Sequence, residues 1–568
     1  MERRFSPGRL LDRQLWIVVN PPKMIRWFWL AIALAVGLGY GLATLPETLS
    51  SEYIIPDDGR QHLFWMARFL DLELFPGDRI ADYFQSVAPW AFQSIYRLAA
   101  AFNLSPWDVA KWLPIPLSAA TAGAAFLLSE TWLPLPAANA LTSILLLQNL
   151  WLRDDLASGT SRAFLNPLFL LVLLGIQWRS PYLLIPSIIL LGGFYPHYVL
   201  ITGVILGLGV LVDLLRRNIS QATLYFAGGG LITCVLMLLP FAINASEFGP
   251  TISRTIAETL PEFLPNGRSR FFYDDFGRFW LSGGRSGLQI PLDPPLYCFG
   301  LLLPILYRWK NKLPILQQIR SQIELLNRLL FASLLTFFAA HLLLFRLHLP
   351  SRYTQHSLRI ILASAGAIAL FTLLDWLWNR INPNLGKITA IALLSFTLLF
   401  PLTYKNFPKT NYVAGDRPDL YAYLQQHPKT IRIASLSGIA NNIPTFAQRT
   451  ILTGSEYAIP YHWGYYEKFR QITLDLITAQ YTDNPKVLAQ TIQQHNITHW
   501  LVERNAFTPD YLEGQKWLRQ YDPAYTTARD SLGRSPSYLS TQLSHCTAFE
   551  TPELLLLDAS CLAKSTSP

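Results

Sequence analysis

A series of long apolar runs joined by short charged links constrains this chain more than any other feature. A helix needs about 20 apolar residues to cross about 30 Å of hydrocarbon. In lipid its backbone polar groups must be satisfied within the segment itself. Eleven such runs are read, at 27–45, 112–130, 133–151, 164–178, 182–196, 198–215, 223–243, 294–307, 328–348, 357–379 and 387–404. A soluble chain with this pattern would expose large apolar patches and aggregate. Composition agrees: 51% of the 568 residues are hydrophobic and only 15% are charged, against about 25% charged in a typical soluble domain. Disorder requires the opposite balance. The expectation is an α-helical polytopic membrane protein with about 11 transmembrane helices.

The charges orient it. Residues 1–26 carry Arg3, Arg4, Arg9, Arg13, Lys23 and Arg26 ahead of the first run, which predicts a cytoplasmic N-terminal segment. The inner links then hold Arg179, Arg216, Arg217, Arg308, Lys310, Lys312, Arg380 and Lys387, whereas the first outer loop, 46–111, holds nine Asp/Glu and five Lys/Arg. The formal charge of +9 is thus spent on topology, and no nucleic-acid partner is expected. Eleven crossings put the C-terminus outside. The predicted division is a transmembrane domain over 27–404, with outer loops 46–111 and 246–293, and an extracytoplasmic domain over 405–568. The expected location is multi-pass in a membrane, with few cysteines pointing to a bacterial inner membrane.

Beyond 405 the pattern becomes that of a small soluble α/β domain. Helices are read at 416–427 and 484–495, the second capped by Asn484 with Pro485 in its first turn. Strands are read at 430–436, 450–453, 499–502 and 553–558. Cys546 and Cys561 both fall here, and in an oxidising compartment they can pair; unpaired thiols are the equal alternative. Cys234 and Cys298 lie in spans, as packing residues.

Three features point to chemistry. Asp57 and Asp58 stand about ten residues past the first run, followed by Arg60, His62 and an apolar stretch (63–70) at helical spacing. That stretch is expected to lie in the membrane interface with its apolar side toward lipid. Adjacent carboxylates can bind a divalent cation through oxygen ligands or supply a general base; alternatively one of them merely caps the helix. A second acidic pair, Asp154 and Asp155, precedes Ser158-Gly159-Thr160-Ser161-Arg162 on the same predicted side. Thirdly, Arg346, His348, Arg352, Tyr353, His356 and Arg359 crowd an outer mouth without an acid. Arginine favours planar recognition of phosphate, which reads as an anion site, against lipid-headgroup snorkelling. His197, between two spans, reads as a helix-end histidine, and the Gly283-Gly284 pair as a point of mobility in the loop 246–293.

The inner N-terminus, the acidic first outer loop with Asp57-Asp58 and the Phe84–Tyr96 stretch with Leu104-Ser-Pro-Trp-Asp108 behind it resemble the GT-C superfamily of membrane glycosyltransferases. Pro350-Ser351-Arg352-Tyr353 resembles the late arginine-rich loop of that superfamily, and Asp154-Asp155 its second acidic motif. The oligosaccharyltransferase Trp-Trp-Asp-Tyr-Gly signature is missing; His462-Trp463-Gly464-Tyr465-Tyr466 is aromatic but lacks the Asp. The resemblance implies a polyprenyl-phosphate-linked sugar donor, a glycan, lipid or protein acceptor and membrane lipid as partners. It also implies Asp57 or Asp58 as catalytic base, and donor-phosphate contacts from Arg60, His62, Arg346, Arg352, Tyr353 and Arg359. A divalent cation, Mg or Mn, enters only if Asp154 and Asp155 bind it. Two rivals remain at this stage. One is a transporter or flippase, which would hold its charges near mid-span; the other is a non-catalytic envelope scaffold.

Overall fold

The computed structural model describes residues 22–243, 247–380 and 383–564; the basic leader up to residue 21 lies outside these. Every apolar run becomes helical over most of its length. In chain order the membrane part comprises α1 (Lys23–Leu42), the short α2 (Gly59–His62), α3 (Arg79–Val87), α4 (Trp90–Ala101), α5 (Pro114–Trp132), α6 (Pro136–Trp151), α7 (Leu165–Gln177), α8 (Pro181–Phe194), α9 (His197–Leu215), α10 (Gln221–Ile243), α11 (Glu324–Leu342), α12 (Ser351–Trp378) and α13 (Pro383–Leu399). Among the described residues, six helical segments are long and apolar enough to cross a membrane. The other apolar helices are shorter: α6 has 16 residues, about 24 Å at 1.5 Å per residue, and Pro295–Tyr307 has Pro295 and Pro304, with a 3-10 stretch before its single α turn. Six full-length helices, not eleven, are therefore what length and composition establish.

Lipid-facing surfaces are visible in the exposed apolar stripes. On α10, Ile232, Val235, Leu236 and Leu239 are exposed, and on α11, Phe331, Leu335, Phe338 and Leu342. Both stripes follow the three- and four-residue spacing of one helix face. The α12 helix is the opposite case: it is buried along most of its 28 residues. It packs closely on Pro295–Tyr307 because two glycines face each other's backbone. A Cβ on Gly300 would lie 3.0 Å from Leu362 O, and one on Gly366 would lie 3.0 Å from Leu296 O; small residues allow such approach.

The C-terminal domain, named outer after the topology expected from the sequence, carries a five-stranded sheet in the order β4-β3-β5-β7-β6. Its strands are β3 (Arg432–Ser435), β4 (Thr450–Ile451), β5 (His499–Glu503), β6 (Thr547–Glu550) and β7 (Leu554–Asp558), parallel from β4 to β5 and antiparallel beyond. The helices α14 (Pro418–Gln425), α15 (Trp463–Tyr481) and α16 (Pro485–His495) accompany it. Cys546 and Cys561 are joined in a disulfide. Two further strands, β1 (Ile54–Pro56) and β2 (Tyr412–Ala414), pair antiparallel and tie the first outer loop to the chain leaving α13.

The apolar stretch after His62 corrects the interfacial reading. Leu63, Phe64, Trp65, Met66 and Ala67 are buried within the protein, in a 3-10 turn. Phe64 meets Phe75, Phe84 and Tyr457 edge-on. An apolar face does not declare whether lipid or protein will cover it, and here the outer domain does. The segment that does present large apolar side chains outward is α4 with its C-terminal turn, through Trp90, Leu98, Phe102 and Leu104.

Candidate functional site

The first carboxylate pair is set by the β1–β2 ladder. Asp57 N–H extends it by donating to Asn411 O at 3.0 Å, and the chain then turns into α2. Asp58 occupies the N-cap position of α2 but makes no side-chain cap. The capping alternative therefore fails for Asp58. Its carboxylate instead forms an ion pair with Arg162, Oδ2 lying 2.8 Å from Nη2.

Arg162 is delivered by a sharp reversal after α6. Gly159 has φ +62°, and a Cβ there would lie 2.8 Å from Ala110 Cβ; the left-handed backbone and the close approach both call for glycine. Tyr96 OH donates to Gly159 O at 2.5 Å and pins the turn. The turn brings Arg162 back beneath the second acidic pair. Its Nη2 also donates to Asp154 Oδ2 at 3.0 Å, and its Nε lies 3.7 Å from Asp155 Oδ1. Asp155 Oδ2 in turn accepts from Arg359 Nη1 at 2.5 Å, with both side chains 1% exposed. The two acidic motifs thus meet on one guanidinium.

The long helix α12 supplies the cationic side. Its 28 residues span about 42 Å against about 30 Å of hydrocarbon, so the helix is longer than the apolar layer. Arg352, His356 and Arg359 fall at i, i+4 and i+7, one helix face. His356 Nδ1 lies 3.3 Å from Arg359 Nη1. Around Arg352 gather imidazoles: the His197 and His348 rings are 4.8 Å apart, and His348 is 5.5 Å from Tyr461. Arg285 Nε donates to Tyr461 OH at 2.9 Å. Gly284 O and Arg285 O accept from Ser351 Oγ and Ser351 N, so the Gly283-Gly284 segment is latched to the start of α12.

The electrostatics separate the two leading aspartates. Burial pushes the Asp58 carboxyl up, but Arg162, His62 and Arg352 together outweigh it, and the group ends below the usual carboxylate range. It is an anion at neutral pH although protein surrounds it, and its side chain is still 35% exposed. Burial raises Asp57, and Glu456 adds to this against the pull of Arg60, so that carboxyl ends above its ordinary value. Burial lowers His62, while Asp58 opposes the shift. Burial, His197, Arg352, His462 and Arg285 hold His348 well below the ordinary imidazole value, so it is neutral at pH 7.

The expected donor-phosphate residues do not all reach this cluster. Arg60 pairs with Asp57 and Glu456 and donates to Asn442 Oδ1, which ties it to the outer domain. Tyr353 OH donates to Leu347 O at 2.9 Å. Arg346 is exposed. Arg359 is taken by Asp155, leaving Arg352, which donates to Gln355 Oε1 at 3.2 Å. Reading the sequence places His356 in the cationic mouth, names Arg162 only as part of the segment after Asp155 and takes His197 for a helix-end histidine; the structure brings all three to this cluster. The i, i+4, i+7 spacing of Arg352, His356 and Arg359 was the signal for His356. Several buried nitrogens here lack a hydrogen-bond partner: Arg359 Nη2, His356 Nε2 and His197 Nδ1. Buried donors of this kind normally find partners, and an oxyanion would satisfy them.

A divalent cation does not fit the acidic pairs as they stand. Hard cations require oxygens at about 2.0–2.6 Å, and the carboxylates of Asp58, Asp154 and Asp155 all face guanidinium nitrogens.

No family model and no curated protein matches this sequence. Solved structures do. The crystal structure of the Archaeoglobus fulgidus oligosaccharyltransferase tethered to an acceptor peptide with the NVT sequon matches 89% of this chain and 72% of its own, at 11% identity and a TM-score of 0.56. The apo form of the same enzyme matches 88% and 72%, at 12% identity and a TM-score of 0.50. The chain shares the fold of this oligosaccharyltransferase.

Proposed function

We propose that this protein is a membrane glycosyltransferase that moves a sugar from a polyprenyl-phosphate carrier to a glycan, lipid or protein acceptor at the outer face of the membrane. The observation that carries the reading is the union of the two acidic motifs with the α12 arginines. Asp58, Arg162, Asp155 and Arg359 form one chain of ion pairs at the membrane-proximal mouth of an oligosaccharyltransferase-like fold. Charges at a mouth suit a carrier lipid entering from the bilayer better than a transport path at mid-span. The disulfide in the outer domain supports an oxidising, extracytoplasmic setting.

In this reading Asp58 is the catalytic carboxylate. It is held in its ionised form by the cations around it, whereas burial and Glu456 raise the Asp57 carboxyl. The acceptor hydroxyl donates a hydrogen bond to Asp58. As its oxygen bonds to the anomeric carbon, the carbon–oxygen bond to the carrier phosphate breaks from the opposite face, inverting the centre. The hydroxyl proton passes to Asp58 and the electron pair leaves with the phosphate. Arg352, with neutral His348 and His197 beside it, meets the charge that develops there. Fixed donors aimed at developing charge stabilise a transition state more than a ground state.

The test is complementation of a strain lacking the gene, read as its lipid-linked sugar and envelope glycan profile. Wild type is expected to restore a missing glycan, and Asp58→Asn, expressed at equal level, to leave it missing. Full restoration by Asp58→Asn would remove the carboxylate from the chemistry and favour the scaffold.

A further inference from the structure

We propose that Arg162 is the built-in cation of this site: its guanidinium occupies the place between Asp58, Asp154 and Asp155 that a divalent ion would need, and the site operates without a metal. The inference rests on the transferase reading for what the site does, but not for what it binds.

The geometry is that of a shared counter-ion. A single nitrogen, Nη2, serves Asp58 at 2.8 Å and Asp154 at 3.0 Å, while Nε faces Asp155 at 3.7 Å. The Arg162 side chain is 18% exposed, so these contacts are largely shielded from bulk water. It does what a dication does between carboxylates: it lets three like charges lie close and fixes where their oxygens point. The planar, permanently charged fork suits this task, and a lysine ammonium would serve only as a point charge.

Charge balance points the same way. Two guanidiniums, Arg162 and Arg359, face three carboxylates, which leaves one negative charge. Arg352 acts electrostatically on Asp58 from the α12 face, so the cluster is close to neutral. A dication therefore finds no excess negative charge here, and it could reach the oxygens only by displacing Arg162. That side chain is held by its position on the Ser161–Phe164 turn, behind the Gly159 reversal.

The test uses the full chain in detergent with Mn²⁺ alone as the probe, read by the EPR signal of free Mn²⁺ and by the thermal midpoint. EDTA-stripped wild type is expected to leave the signal and its own midpoint unchanged at millimolar Mn²⁺. Arg162→Ala leaves Asp58 and Asp154 without their guanidinium and Asp155 with Arg359 alone. It is expected to lose thermal stability, to take up Mn²⁺ and to recover stability with it. Adding Asp154→Asn to that variant is expected to abolish the uptake. Arg162→Lys keeps a positive charge in place and is expected to take up none, which keeps the proposal exposed even if Arg162→Ala does not fold. Saturable Mn²⁺ binding by wild type that Asp154→Asn removes would overturn the proposal. So would a folded Arg162→Ala that ignores the metal. EDTA-sensitive glycan transfer would sink the metal-free claim while leaving the transferase reading intact. Absence of any transfer, with the Mn²⁺ results as expected, would sink only the transferase reading.

Discussion

Arg359 Nη1 lies 2.5 Å from Asp155 Oδ2 with both side chains 1% exposed, so the second acidic motif is locked to the central helix by a fully buried ion pair. Burial pushes the Asp155 carboxyl up, but Arg359, Arg162 and His356 bring it far below the usual range. Removing one partner of such a pair leaves an uncompensated buried charge, a loss of about 3–5 kcal/mol, whereas replacing both by apolar groups can be neutral. Arg359→Met and Asp155→Leu are each expected to lower the thermal midpoint of the purified protein strongly. The double variant is expected to recover most of that loss. A double variant as unstable as the sum of the singles would show that the pair is not a unit.

Arg352 has no acidic ion-pair partner among the described residues, and in the proposed mechanism it is the α12 arginine left to meet a phosphate. Its loss should therefore act on turnover more than on folding. Arg352→Ala is expected to lower kcat by about 100- to 1,000-fold, the usual effect of deleting a donor to developing charge, with little change in thermal midpoint. Arg352→Lys should recover part of the rate, since charge survives and the planar fork does not. A variant that changes only KM would assign Arg352 to binding the carrier rather than to the leaving group.

Asp78 couples the first outer loop to pH. It caps α3 by accepting from Ile80 N at 2.8 Å and Ala81 N at 3.1 Å, yet it is 2% exposed, and burial pushes its carboxyl up to about 6. The unfolded chain would give up this proton near pH 3.9. Between about 3.9 and 6 the folded protein keeps a proton that the unfolded chain has lost, so stability falls as pH rises through this window. The difference corresponds to about 3 kcal/mol at 1.36 kcal/mol per pH unit. Asp78→Asn retains a cap oxygen without the charge. It is expected to flatten the thermal midpoint over this window and to be more stable than wild type at pH 7. An unchanged slope would place the titration elsewhere.

The apolar runs were legible because length and composition are local properties, and each became a helix. Asp57-Asp58 and Asp154-Asp155 were legible as acidic pairs for the same reason. What could not be read was their partner. Arg162 is about a hundred residues from Asp58, and Arg359 is 204 from Asp155; no spacing rule connects them. The β1–β2 pairing was equally hidden, since a three-residue strand has no period to detect. The stretch after His62 shows the converse limit. Its helical spacing was real, but the aromatic contacts that bury it come in part from Tyr457, nearly four hundred residues later. The same holds for Arg60, which looked like a phosphate ligand from its neighbours and is instead claimed by Asn442 and Glu456.

Glu456 gathers both outer loops onto the outer domain. Its Oε1 lies 3.4 Å from Arg60 Nη2, and its Oε2 accepts from Arg268 Nη2 at 3.1 Å and from Gln61 Nε2 at 2.9 Å. Arg60 and Gln61 follow Asp58 after Gly59, so this carboxylate also sets the pose of the turn that carries Asp58. Its negative charge is one of the causes holding Asp57 up. Glu456→Gln keeps the size and one acceptor oxygen but removes the charge. Two guanidiniums then lose a counter-ion, and hydrogen bonds to charged groups contribute about 1.5–3 kcal/mol each. The expected outcome is faster amide hydrogen exchange over residues 57–62 and around Arg268, with β5 and β7 of the outer sheet unchanged. Uniform acceleration across the outer domain would mean that Glu456 supports the domain's own fold rather than its grip on the two loops.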